Sequence, residues 1–301
     1  MSKKIVITGC CGFIGRHLMK RCLDDGHTVI GYDDYSTTDQ KTLDAGLLRH
    51  IKFYYYDIGK MKVTSLAKQI DGADAFFHLA AKARVQPSFD NIPLYDLTNV
   101  HGTTIALEAC RVAGLNNFIF AGSSSVYGNK TTPSKESDTP NPTSPYAMQK
   151  LVAENYIKFY SEHFGLKGKI LRYFNVYGNY MTSEGQYMQA LQTFLNQKYD
   201  GVPFTICGDG EQRRDFTNID DVIEANMLAS NYNEFGVFNI GTGTTYSINE
   251  LCDMIGGKEY HRRNLPARNE PNFVCADNSL AKKCLGWTPK INLSGWINQM
   301  L

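Results

Sequence analysis

Surplus charge is missing from this sequence: 31 basic residues stand against 30 acidic ones in a chain of 301. Binding to nucleic acid or an anionic membrane rests on a clustered excess of one sign. Neither is expected here, and small molecules are the expected partners. Long apolar runs are missing too. The N-terminus offers Lys3, Lys4 and only three apolar residues before Thr8-Gly9, too few for a signal peptide or a membrane span. No CxxC pair is present to hold zinc, and the eight cysteines show no closely spaced even framework. They read as reduced thiols of a cytoplasmic protein. Cys10 and Cys11 are neighbours in a tight loop, which argues against a bridge or a metal pair there, so no metal is expected. Repeats and low-complexity tracts are also lacking. What the length does allow is a large core, in one domain or in a major domain carrying an inserted lobe.

Residues 4–8 read as a short buried strand, followed by Gly9-Cys10-Cys11-Gly12-Phe13-Ile14-Gly15 and a helical pattern to about Asp25. Glycines three apart between strand and helix permit a tight turn, a close backbone approach to a pyrophosphate, and close helix packing. The next strand, 28–32, ends in Asp33. An acid there accepts hydrogen bonds from an adenosine ribose and repels a 2'-phosphate, favouring NAD over NADP, and no Arg or Lys stands near that strand end. The plainer alternative is that Asp33 and Asp34 open a polar loop. A third strand, 52–56, closes on Asp57-Ile58, where the carboxylate either receives an adenine amino group or caps the next helix. Residues 74–81 form an apolar strand ending in His78-Leu79-Ala80-Ala81, whose small residues let backbone lie against a cofactor. His78 itself reads as a satisfied core histidine. Lys82, Arg84 and Ser88 follow in a loop that either faces a substrate or is simply solvated. A long helix is expected from Asn99 to Ala113, then a strand over 117–121 that delivers Ser123. Such alternation implies right-handed crossovers and a doubly wound parallel sheet, with ligands beyond the carboxyl ends of its strands.

The stretch from Ser123 to Lys150 carries the chemistry. Tyr146 and Lys150 are four residues apart, on one face of a helix. A cation beside a phenol favours its ionised form and makes it a base, while Ser123 can hydrogen-bond the same substrate oxygen. The pair alone is common in proteins at this spacing; its company decides.

That company resembles the extended short-chain dehydrogenase/reductase family, in its NAD-dependent nucleotide-sugar epimerase/dehydratase branch. The resemblance is carried in order by the Gly9 loop, Asp33, His78 to Ala81, Asn99-Val100-x-Gly102-Thr103, Ser123 to Gly128, and Tyr146 with Lys150. It continues through Arg172-Tyr173-Phe174-Asn175-Val176-Tyr177-Gly178, Gly208 to Phe216, Asn239-Ile240-Gly241-Thr242-Gly243 and Leu285-Gly286-Trp287. Cys10 and Cys11 depart from the usual Gly and Ala. The resemblance implies a Rossmann-like NAD domain over 1–172 plus 215–243 and a nucleotide-sugar lobe over 173–214 plus 244–301. It also implies a homodimer through the helices near Asn99 and Tyr146.

By the same resemblance Tyr146 is the base, Lys150 lowers its pKa and holds the nicotinamide ribose, and Ser123 completes the catalytic set. Gly9, Gly12, Phe13, Ile14, Gly15, Asp33, Asp57, Ile58, Leu79, Ala80, Ala81, Asn99 and Tyr173 join Tyr146 and Lys150 around the cofactor. Ser124, Asn175, Arg214, Arg268 and Val274 face the sugar nucleotide, Arg214 and Arg268 as pyrophosphate arginines and Val274 in the sugar pocket; Arg213 reads equally as polar contact or solvated charge. Related dehydratases and UDP-glucuronate decarboxylases carry acids beside the catalytic hydroxyl, where this chain has Ser124 and Ser125. The expected reaction is therefore epimerisation of a UDP-sugar at C4, UDP-glucose/UDP-galactose and/or UDP-GlcNAc/UDP-GalNAc. A 4,6-dehydratase or decarboxylase, an NADPH-dependent keto-sugar reductase and an NAD-binding structural or regulatory protein are the alternatives.

Overall fold

Short runs of apolar residues bounded by glycine turns form the strands, and helices with one apolar face join them. A computed structural model describes residues 2–36, 45–181, 190–268 and 270–301. In chain order the first part comprises β1 (Lys4–Thr8), α1 (Phe13–Asp24), β2 (Thr28–Asp33), α2 (Ala45–Leu48), β3 (Lys52–Tyr55), α3 (Val63–Ile70), β4 (Ala75–His78), α4 (Val85–Asp90), α5 (Ile92–Asp96), α6 (Gly102–Val112), β5 (Asn117–Ser123), α7 (Pro145–Phe164) and β6 (Lys167–Tyr173). The rest comprises β7 (Val176–Tyr177), α8 (Ala190–Tyr199), β8 (Phe204–Cys207), β9 (Arg213–Asp215), β10 (Thr217–Asn218), α9 (Ile219–Asn231), β11 (Gly236–Ile240), β12 (Thr245–Ser247), α10 (Ile248–Gly256), β13 (Arg262–Leu265), β14 (Phe273–Val274), α11 (Ser279–Leu285) and α12 (Leu293–Met300).

Seven strands form one parallel sheet in the order β11-β6-β5-β4-β1-β2-β3. This is the doubly wound Rossmann-like arrangement expected, and the order reverses between β1 and β4, where such sheets open a crevice. The side chains of β1 alternate between two cores. Ile5 and Ile7 join Leu18, Met19 and Cys22 of α1 and Val222 of α9 on one face; Val6 joins Phe76, Phe118, Leu66 of α3, Leu107 of α6 and Ile157 of α7 on the other. Each such side chain contributes about 1.5–3 kcal/mol on burial. A third cluster, around Tyr177, Phe194, Phe204, Phe216 and Leu251, is built from the later elements. α11 and the turn after it, which the sequence reading assigns to the smaller lobe, add Ala281, Leu285 and Trp287 to the first cluster. Residues 182–189 of that lobe lie outside the described residues, as does Asn269.

Three elements differ from the sequence expectation; in the first, Ser88, read as part of a loop, is buried in α4. The fourth strand stops at His78, and Leu79 to Ala81 leave the sheet. The helix expected from Asn99 begins as a π turn, Leu97–His101, before α6. Close packing accompanies this local widening: a Cβ on Gly59 would stand 2.6 Å from the Leu97 carbonyl oxygen, and such turns recur at functional sites.

Candidate active site

The crevice between β1 and β4 is shaped by backbone. Gly9 has a φ of +70°, and a Cβ there would meet the Ala80 nitrogen at 2.7 Å; a Cβ on Gly15 would stand 2.0 Å from the Gly9 oxygen. Strand, turn and helix are thus in contact. α1 has no acidic residue in its first turn, so the N–H groups of Phe13, Ile14 and Gly15 sit at a helix end that favours an anion. Asp33 closes the crevice. Its Oδ2 accepts the Cys11 N–H at 2.9 Å and its Oδ1 the Tyr35 N–H at 2.8 Å, while burial pushes its pKa up. One pocket is lined by Gly9, Gly12, Asp33, Asp57, Ile58, Leu79, Ala80 and Ala81 together. Glycines whose side chains would fill the cradle, an anion-favouring helix end and an acid at the end of β2 fit a dinucleotide. Asp57 also caps the turn that follows, accepting the Gly59 N–H at 3.0 Å, so both sequence readings of it are compatible.

The catalytic candidates converge beside this crevice. α7 starts firmly, with Ser144 Oγ accepting the Ala147 N–H and Pro145 in the first turn, which fixes Tyr146 and Lys150 one turn apart. Ser123, at the end of β5, is near enough to the Tyr146 phenol to favour its ionised form and lies 2.8 Å from the Ser125 hydroxyl. Ser124 opens the short helical turn that follows. Lys150 Nζ donates to the Ala121 carbonyl at 2.9 Å and stands 4.6 Å over the Phe120 ring.

The expected lowering of the phenol pKa is not seen in the protein alone. Burial pushes Tyr146 up, and the nearby Ser123 hydroxyl offsets this only in part. The reason is geometric: Nζ is 6.0 Å from the Tyr146 ring and is engaged with Ala121. Burial also lowers Lys150 to about 8, against the raising influence of Glu154.

Asn99 Oδ1 accepts the Lys82 N–H at 2.9 Å and its Nδ2 donates to Gln149, tying the loop after β4 to α7. Ser88 is buried and accepts the Tyr146 N–H, while Lys82 donates to Ser36. His78 is a satisfied core histidine, held between Thr8 and Thr103 and pushed down to about 3 by burial. Tyr173 pairs with Ser123 in register but turns its hydroxyl to Asn226 at 2.9 Å.

On the other side of the cleft, Asn175 Nδ2 donates to the Asp215 carbonyl at 3.0 Å. Arg214 donates to the Arg213 and Pro271 carbonyls and pairs with Glu270 at 3.2 Å, so its guanidinium lies against the segment before β14. Arg213 is paired with Glu250 at 2.9 Å rather than simply solvated. Arg268 is exposed on the same segment. Val274 pairs with Arg214 in register and rests against a cluster of Val126, Tyr127, Phe174 and Ala276.

Sequence reasoning left three parts of this scaffold without a role. Glu154 and Arg172 form a buried ion pair at 2.6 Å, with the guanidinium 4.8 Å over the Tyr127 ring. Tyr127 donates to Asn239 at 2.6 Å. Asp215 accepts from the backbone of Thr242, Gly243 and Ala276, joining two loops to the end of β9. All of these residues but Glu154 and Ala276 lie in the quoted motifs, which was the available signal. A larger cavity of about 220 Å³ near Lys3, Arg21 and Glu224 lies at the opposite end of the strands; there Arg21 is engaged with Asp25 and Glu224, and none of the catalytic candidates is present.

Comparison with known proteins points the same way. Residues 5–241 match the NAD dependent epimerase/dehydratase family. A UDP-glucose 4-epimerase from Thermotoga maritima, solved with UDP-glucose, is 32% identical, with 99% of this chain and 97% of that one covered and a TM-score of 0.92. A UDP-N-acetylglucosamine 4-epimerase from Methanobrevibacter ruminantium, solved with UDP-N-acetylmuramic acid, is 30% identical over 99% and 97% of the two chains, with a TM-score of 0.93. A UDP-glucuronic acid 4-epimerase variant from Bacillus cereus, solved with a fluorinated UDP-glucuronic acid and NAD, is 33% identical over 99% and 100%, with a TM-score of 0.88.

Proposed function

We propose, from the premise that this chain belongs to the NAD-dependent epimerase/dehydratase family and is an epimerase of UDP-sugars, that it inverts the sugar at C4. The observation that supports this reading is the closeness of Ser123 to the Tyr146 phenol, with Lys150 one turn along α7 from Tyr146 and serines at 124 and 125 where an elimination would use a carboxyl group. When bound, NAD supplies an acceptor for hydride and gives the hydride back. Tyr146 takes the proton of the C4 hydroxyl and later returns it. Ser123 shares that oxygen and holds its direction. Lys150 keeps a positive charge beneath the reacting group, which favours a phenolate once the cleft is filled. The 4-keto sugar turns over between the two steps, so the pocket must hold the nucleotide firmly and the sugar loosely. Asn175, Arg214 and Arg268 suit the first task by their donors.

The sugar is the finer part of the proposal. Val274 leaves room that a tyrosine would fill, which supports admission of 2-acetamido sugars, UDP-GlcNAc and UDP-GalNAc, alongside UDP-glucose and UDP-galactose. A sugar-nucleotide lobe over 173–214 plus 244–301 beside an NAD domain over 1–172 plus 215–243 is part of the same proposal, with α11 packed against the first core. A homodimer is supported by apolar side chains left exposed on α6 and α7, among them Val112, Met148, Tyr156, Phe159 and Phe164.

The test is incubation with UDP-glucose, UDP-GlcNAc and UDP-glucuronic acid, with products identified by NMR. Interconversion of C4 epimers is expected. Loss of water or carbon dioxide from the sugar would instead favour the dehydratase or decarboxylase reading.

A further inference from the structure

Two thiols and a carboxylate meet at the dinucleotide turn. The Sγ atoms of Cys10 and Cys11 are 3.8 Å apart. Asp33 arrives from the end of β2, 22 residues further on, and its Oδ2 accepts the Cys11 N–H. The two sulfurs and a carboxylate oxygen all lie within 4.8 Å of one another, and all three residues are buried. Among the described residues no other set of three His, Cys, Asp or Glu donors converges this closely. Adjacency of two cysteines argues against a metal pair when the sequence is read alone; the parallel pairing of β1 with β2 is what brings the third donor.

The spacing suits one kind of ion. Around a tetrahedral zinc with Zn–S of about 2.3 Å and Zn–O of about 2.0 Å, two sulfurs stand about 3.8 Å apart and a sulfur and an oxygen about 3.5 Å. The sulfur pair is already at that separation, while the carboxylate, within 4.8 Å, must move closer and exchange its hydrogen bonds with the Cys11 and Tyr35 N–H groups for the ion. The Cys10 sulfur fills the space that Gly31 leaves on the neighbouring strand, where a Cβ would stand 2.7 Å away, so an ion enters only as the turn shifts. Two thiolates with one carboxylate select soft or borderline cations over magnesium or calcium, which take oxygen donors.

We propose that Cys10, Cys11 and Asp33 form a three-donor site for a thiophilic divalent cation of the zinc and cadmium type, and that loading this site excludes the dinucleotide. On binding, two S–H bonds break, two metal–sulfur bonds form and two protons pass to solvent, while Asp33 joins as its carboxylate and no electrons are transferred. Water takes the fourth position. The exclusion rests on the reading that Asp33 holds the adenosine ribose: a carboxylate turned onto a cation is lost to the ribose, and the Gly9 and Gly12 turn borders the same pocket.

The experiment titrates the purified protein with cadmium, following the sulfur-to-cadmium ultraviolet band, proton release in weak buffer and NAD appearing in a filtrate. Wild type is compared with Cys10→Ser and Cys11→Ser, whose folding is checked by circular dichroism. The expected result is one cadmium per chain, release of about two protons per ion, loss of the band in both variants, and NAD freed in step with the band. A band equally strong in the variants, no band at all, or uptake without proton release overturns the site. Cys207→Ser and Cys284→Ser, at the two less buried thiols, serve as controls: band and proton release should match wild type, and their loss overturns the site. A variant-sensitive band with NAD fully retained overturns the exclusion and the ribose assignment of Asp33, while the cation site stands.

Discussion

Gly9, Gly12, Asp33, Asp57, Ile58, Leu79, Ala80 and Ala81 border one pocket although they come from four different turns. Asn175, Arg214, Arg268 and Val274, expected around the sugar nucleotide, depend on side chains from separate segments, and Arg214 is engaged with Glu270 and two carbonyls. The pocket at the β1–β4 crevice, proposed for the dinucleotide, is therefore built of backbone and sterics, and the segment around Arg214, proposed for the sugar nucleotide, of polar side chains and ion pairs. Backbone sites tolerate little, because a misplaced atom has nowhere to go. Side-chain sites can be retuned by one substitution, which suits a fold whose relatives act on different UDP-sugars.

The largest effect is expected from adding a single methyl group on the dinucleotide side. Gly15→Ala places a Cβ 2.0 Å from the Gly9 oxygen, a backbone clash beyond ordinary overpacking, whose cost is about 1–3 kcal/mol. Purified protein should carry no measurable NAD and melt well below wild type. Retention of normal NAD content would show the turn to be more plastic than the contrast allows.

Tyr146→Phe, at the junction of the two sides, should lower kcat by about 100-fold or more, the scale of a lost general base, with KM little changed. Stopped assays on one sugar nucleotide decide it; near-normal turnover would remove Tyr146 from the mechanism.

Acidity gives a third test. Burial lowers Lys150 from 10.5 to about 8, so below about pH 8 the folded protein keeps the ammonium and above it the charge is lost. Turnover should fall through that pH. Between about 8 and 10.5 the unfolded chain binds the extra proton, so this group's contribution to stability rises with pH while activity declines. A rate flat to pH 10 would mean that the Lys150 charge is not used.

On the sugar side, Arg214→Ala should raise KM about 10-fold or more, matching the roughly 1.5–3 kcal/mol of hydrogen bonds to a charged group, with a smaller change in kcat. A dominant loss of kcat would place Arg214 in the scaffold instead. The smallest effect belongs to Val274→Tyr: acetamido substrates should lose about 10-fold in kcat/KM while plain hexoses keep theirs. Equal activity on both sugar types would show that Val274 does not line the pocket.

Much of this was legible because the dinucleotide turn is local. Gly9 to Gly15 and Asp33 announce themselves through spacing, and α7 through Ser144, Pro145 and the Tyr146/Lys150 interval. The Glu154 and Arg172 pair was not legible, since nothing in either residue names its partner across 18 positions. Asp215 was quoted within a motif but gained a role only when Thr242, Gly243 and Ala276 came to it. The direction of the phenol pKa in the protein alone was not legible for the same reason: helical spacing sets proximity, whereas burial and the Ala121 carbonyl set where the Lys150 charge acts.

By itself, then, the sequence determined the strand and helix alternation, the glycine turn, the acid at the end of β2 and the candidates Ser123, Tyr146 and Lys150, because each depends on neighbours within a turn or two of chain. The tertiary structure alone decided the direction of the Tyr146 and Lys150 shifts, the engagement of Arg214 and the meeting of Cys10 and Cys11 with Asp33. Those depend on burial and on long-range strand pairing, which fix which groups lose water and which partners they find in its place.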